Sequence, residues 1–235
     1  MNRFEIFNTP HLIVLLLTVL ISVLFVVIPK KFKYPPVKNT ISLLLFISIV
    51  FSTLFAIIDK YINGYLYAPL NMPMQLCDWV MLFVLVTFIT KSQYAYEITY
   101  FWGLGGTLQA LITPDLAFNY PSWIFVIFFI NHSTIIISII YFTFVFGLRP
   151  YLVSIKRVFL WSQVFFFFAF ITNVIFDTNY GFLMEKPIKA SLFDYLGPWP
   201  LYLLSLEIVG LLSFFIYYLP FLIKDKYFNK KTANI

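Results

Sequence analysis

Long apolar runs alternate with short polar or basic segments along the whole chain. They cover residues 11–28, 40–58, 73–90, 94–112, 121–147, 158–176 and 200–223. Each approaches the ~20 residues that carry an α-helix across ~30 Å of hydrocarbon, the third only with its upstream extension to Pro73. The pattern predicts an all-α, polytopic membrane bundle of about seven transmembrane helices, a single transmembrane domain over residues 1–235. The first run is followed, not preceded, by its basic cluster (Lys30, Lys31, Lys33, Lys38), and no small-residue cleavage site appears. It therefore reads as a retained helix and not as a signal peptide.

Composition agrees with lipid as the main solvent. The chain is 61% hydrophobic and only 11% charged, where a soluble domain carries about 25% charged residues. The net charge of +6 does not point to nucleic acid, because no basic stripe interleaved with aromatics stands outside the runs. The basic residues instead set topology. With the N-terminus outside and the C-terminus cytoplasmic, the inner segments hold 12 of the 16 Lys and Arg residues. The outer segments hold the remaining Arg3, Lys60, Lys186 and Lys189. Every inner segment then follows the positive-inside rule, and the predicted location is the cell membrane.

Polar side chains are costly within a bilayer and face a cavity, a partner or the bundle interior. In the predicted topology they gather in the outer half. Gln75, Cys77 and Asp78 lie at the outer end of the third run, with Gln109, Thr113 and Asp115 at that of the fourth. Asn131 and His132 lie ~15 Å down the fifth, and Glu207 ~10 Å into the seventh. Asn173 ends the sixth, and Asn179 and Tyr180 follow in its loop. Trp102, Gly106, Gln109 and Thr113 recur at helical spacing and predict one shared face, beside a Gly103, Gly105, Gly106 cluster that brings helices close or makes room for a ligand.

The lone cysteine excludes an internal disulfide and a multi-cysteine zinc site. No metal or cofactor is expected, since neither a HExxH motif nor a phosphate-cradling glycine loop after a strand is present. A thiol needs a base, and imidazole is the natural one at neutral pH. Cys77 and His132 are accordingly the candidate nucleophile and base, with Gln109 and Asn131 as candidate oxyanion donors and Asp115 as an orienting group. Cys77 lies ~6 Å below Pro73, however, against ~15 Å for His132 below Pro121. A tilt or a deeper start of the third helix is required to bring them level.

The segments Pro73–Cys77, Tyr100–Asp115 (with its Trp-Gly, Gln109 and Thr-Pro-Asp elements) and Phe128–His132 resemble the YwaF-type bacterial integral membrane proteins. Asn179-Tyr180 and Leu196–Pro200 fit the same family. That group is in turn similar to the transmembrane-protein-164 acyltransferases. The resemblance implies cysteine-dependent movement of acyl chains between phospholipids, or lipid hydrolysis as in more distant relatives, with Cys77 as nucleophile and His132 as base. Gln75 stands where a His is expected in many relatives. Membrane phospholipids are the expected partners. The alternative is a non-catalytic transporter, carrier or receptor for a lipid or small solute. It would use Gln75, Trp102, Gln109, Thr113, Asp115, Asn131, Asn173, Asn179, Tyr180 and Glu207 without a nucleophile.

Overall fold

The computed structural model describes residues 3–32, 35–64, 66–187 and 192–232. Lys33 and Lys189 lie outside the described residues. The helices are α1 (Thr9–Phe32), α2 (Pro35–Ile62), α3 (Ala68–Asn71), α4 (Leu76–Thr90), α5 (Gln93–Trp102), α6 (Leu108–Ile112), α7 (Trp123–Tyr141), α8 (Leu152–Phe176) and α9 (Leu201–Thr232). Two π-helical segments extend this set: π1 (Gly103–Thr107) joins α5 to α6, and π2 (Phe142–Phe146) continues α7. Five helices are long and apolar enough to cross a membrane, and α4 is a shorter apolar one. With the continuous α5–π1–α6 rod, the protein is an all-α membrane bundle with an element at each of the seven apolar runs.

The chain forms two compact units, Met1–Leu148 and Arg149–Ile235. In the first, α7 is the central helix. Half of its most apolar window is buried, against 17% for α1 and 22% for α2. Small polar residues seat its neighbours. Ser48 and Ser52, one turn apart on α2, hydrogen-bond Thr134 (3.1 Å) and Asn131 on α7. The Thr18 hydroxyl on α1 is hydrogen-bonded with that of Ser133 at 2.8 Å. Such residues let helices approach closely in lipid, where packing and interhelical hydrogen bonds of about 0.6 kcal/mol each replace the hydrophobic drive.

Helix α5 is buried along its whole length from Ala95 to Trp102. Trp102 belongs to this core, with Trp79 and Phe83 of α4 at ring separations of 6.4 and 6.0 Å. Lys30, Lys38 and Lys91 meet at one end of the unit, over Phe144 and Phe146 of π2. At the other end, the N-terminal segment lies on the α6–α7 connection, with Phe4 N–H donating to Ala117 O at 3.2 Å.

In the second unit, α8 ends where Asp177 takes a left-handed conformation (φ 52°). Asn173 then binds the chain that follows. Its amide donates to Tyr180 O (3.0 Å), and its Oδ1 accepts from Tyr180 N–H (2.7 Å) and from the Thr178 hydroxyl (2.9 Å). At the end of α9, Asp225 receives a two-pronged ion pair from Arg149.

Candidate functional site

Helix α4 begins at Leu76, not at Pro73. Gln75 is its N-cap in an extended conformation, and its N–H donates to Asp78 Oδ2 at 3.0 Å. The acid thus satisfies one of the free donors at the helix start, and Cys77 occupies the first turn.

That start is half-buried at Leu76 and Cys77, with Gln75 exposed. Leu76 packs on Gly106 so closely that a Cβ there would lie 3.0 Å from Leu76 Cδ2. One residue on, the Thr107 hydroxyl donates to Cys77 Sγ at 3.8 Å. The glycines therefore admit the turn that carries the thiol.

The register of π1 against α7 fixes what faces Thr107. A Cβ on Gly103 would collide with Cδ1 of Ile139. Eight residues further along, Leu111 O is bound by His11, whose ring packs on Phe129 at 5.4 Å. The α5–π1–α6 rod thus runs antiparallel to α7. Four residues correspond to about 6 Å along either helix, so Thr107, midway between Gly103 and Leu111, is level with Ser133 and its neighbour His132. On the 100° wheel of α7, His132 falls on the flank of Ile135 and Ile139, which face π1, and away from the Asn131–Thr134 edge that faces α2. Thr107, which touches Cys77, is therefore at the level of His132, and the depth counted from Pro73 does not apply, because α4 starts at Leu76.

His132 is half-buried, stacked on Phe128 at 3.9 Å. Its Nδ1 lies 2.8 Å from Phe128 O. A carbonyl can only accept, so Nδ1 carries the proton. The neutral ring then holds its lone pair on Nε2. No hydrogen bond joins Cys77 to His132 among the described residues.

The other expected site residues separate into groups. Asn131 is buried, and its Oδ1 accepts from Ser52, which turns the amide NH2 away from α2 as the donor side. Trp102, Gly106, Gln109 and Thr113 do not share a face: Trp102 is buried, whereas Gln109 and Thr113 are exposed. The π-turn is the reason. Its wider i→i+5 repeat rotates everything after Gly103 relative to an α-helical count. Thr113 closes α6, with its hydroxyl and N–H both donating to Gln109 O. Gln75 and Asp115 are exposed. Asn173, Asn179, Tyr180 and Glu207 belong to the second unit. There Asn173 and Asn179 bind backbone: Asn179 Oδ1 accepts from Met184 N–H at 3.0 Å and its amide donates to Glu185 O at 2.9 Å. Tyr180 is buried and Glu207 half-buried.

Two residues of consequence escaped sequence reasoning. Thr107 was masked by the glycines before it, although a hydroxyl beside a glycine cluster in a membrane helix is a usable signal. His11 passed as an edge residue, yet it is fully buried. Among the described residues, no group of three His, Cys, Asp or Glu is placed to hold a metal ion.

Residues 6–218 match the model of the TMEM164 family. No curated protein and no solved structure matches the chain.

Proposed function

The chain belongs to the TMEM164 family, and from that premise we propose that it is a membrane acyltransferase acting on lipid esters. Cys77 is its nucleophile, His132 its base, and the bacterial plasma membrane its location. The observation that carries this reading is the hydrogen bond from His132 Nδ1 to Phe128 O. It leaves Nε2 as the basic nitrogen, on the flank of α7 that faces the π-turn touching Cys77.

In the first half-reaction Nε2 takes the Cys77 proton, and the thiolate attacks the ester carbonyl of a donor lipid. The tetrahedral intermediate collapses with cleavage of the ester C–O bond. The departing alkoxide takes the proton back from His132, leaving the acyl group as a thioester on Cys77. In the second, the hydroxyl of a lysolipid gives its proton to Nε2 and attacks the thioester. The new ester leaves, and the Cys77 thiolate recovers its proton. Water in place of the lysolipid gives hydrolysis. Thr107 supports the thiolate, since a hydrogen bond to the charged form favours it. The Asn131 amide, next in sequence to His132, is a side-chain candidate for the oxyanion.

The test is acyl exchange by purified protein supplied with phosphatidylcholine and an isotope-labelled lysophospholipid. Mass spectrometry follows the labelled product and an acyl adduct on Cys77. Wild-type protein should form both, Cys77→Ala neither, and His132→Ala should lose product. Full exchange by both variants would sink the acyltransferase reading. Lipid binding without turnover by wild-type protein would favour the carrier.

A further inference from the structure

Beside the Cys77–Thr107–His132 level lies an apolar groove of about 490 Å³, bounded by α1, α6, α7 and π2. Leu111 and Ile112 line one end, Leu15 and Leu108 stand next to them, and Val27 and Phe144 line the other end. Leu108 directly follows Thr107, and Ile136 in the wall stands one helical turn from His132. At the far end Lys30 lies over the Phe144 ring, 5.5 Å from its centre.

We propose that this groove holds the acyl chain of the lipid, with the ester end at the Leu108 level and the methyl end towards Phe144. Its wall offers nothing to a polar ligand. The hydroxyls of Thr18 and Ser22 are both engaged with backbone carbonyls of their own helix, at 2.8 and 2.7 Å. Its length also fits. From Leu15 to Val27 on α1 the groove runs about 18 Å, close to the ~15 Å hydrocarbon depth of one leaflet, and its opposite wall from Ile136 to Phe144 runs about 12 Å. A helix ~10 Å across and ~18 Å long occupies roughly 1,400 Å³, so the groove of about 490 Å³ would take at most one face of it. The link between chain and reacting ester rests on the acyltransferase reading above, whereas occupation of the groove does not.

Two measurements separate these. Cys77→Ala protein in phosphatidylcholine vesicles is photolabelled with phosphatidylcholines carrying a diazirine at mid-chain or at the chain terminus, and adducts are mapped by mass spectrometry. The mid-chain probe should mark the wall near Ile136, and the terminal probe residues near Val27 and Phe144. Ile140→Trp, which fills the middle of the groove, should abolish the terminal mark. In otherwise wild-type protein, Ile140→Trp should shift exchange from oleoyl towards myristoyl donors by about tenfold or more, the scale on which apolar pockets sort chain length. Labels spread over all lipid-facing helices without depth order, or unchanged by Ile140→Trp, would overturn the groove. Depth-ordered labels with no exchange by wild-type protein would uphold the groove and remove the acyltransferase reading instead.

Discussion

Gly103 and Thr107 bracket the π-turn, and each makes a separate demand on a single atom. At Gly103 the obstacle to a side chain is Cδ1 of Ile139. Gly103→Ala should therefore destabilise by about 1–3 kcal/mol of overpacking, less up to ~1 kcal/mol regained in helix propensity. Ile139→Val deletes the offending atom at a cost of about 0.5–1.5 kcal/mol. The double variant should consequently be more stable than the sum of the two single changes predicts, by about 1 kcal/mol. Unfolding midpoints in detergent measure this, and simple additivity would show that the turn relaxes elsewhere. Thr107 offers a hydroxyl to the thiol. Thr107→Val keeps the shape and loses the donor, so acyl exchange should fall about threefold to tenfold, the value of a hydrogen bond of ~0.5–1.5 kcal/mol. Maleimide should also alkylate Cys77 more slowly. Thr107→Ser should restore both rates. A purely structural threonine would change melting and leave the alkylation rate alone.

At the scale of elements, the N-terminal segment is held by one ring. His11 Nδ1 accepts from Phe7 N–H (3.0 Å), and Nε2 lies 2.8 Å from Leu111 O, to which it can only donate. The ring is fully buried among Phe4, Phe7 and Phe129. His11→Ala leaves the buried Leu111 carbonyl without this partner, at about 1–3 kcal/mol, and removes the acceptor of the Phe7 N–H. Backbone amides of residues 4–8 should lose protection in hydrogen exchange, while those of α5 keep theirs. Equal loss in both would make His11 part of the global core rather than a local fastener. This element also shows where sequence reasoning stopped. Hydrophobic runs located the long helices but not the short α3 (Ala68–Asn71), because lipid imposes length and composition on a span. They did not reveal the π-turn, since one extra residue per turn leaves no mark on hydropathy, and the shared face drawn through Trp102, Gln109 and Thr113 dissolved with it. Pro73 looked like a helix start, but Asp78 caps α4 at Gln75. Asn173, near the end of α8, and Asn179, in the segment after it, bind backbone, a use with the same sequence signature as an amide aimed at a substrate.

For the whole molecule, the remaining question is which way it crosses the membrane. The charge pattern assigns twelve basic residues to the cytoplasmic side. Three of them, from the ends of different helices, do meet in space: Lys30, Lys38 and Lys91 gather on Phe144 and Phe146, and Lys38 also donates to Val145 O at 3.2 Å. The last turn of α1, the first turn of α2 and the end of α4 therefore lie together. The positive-inside rule then favours the lysine end as cytoplasmic. The native sequence has a single cysteine, so a Cys77→Ser background gives a clean readout. Cysteines placed at the exposed positions Asp115 and Lys156 should behave oppositely towards a membrane-impermeant maleimide on intact cells. Asp115→Cys should react at once, and Lys156→Cys only after permeabilisation. The reverse pattern would invert the bundle. It would put the groove's ester end on the cytoplasmic side, and the lipids available to Cys77 would be those of the inner leaflet.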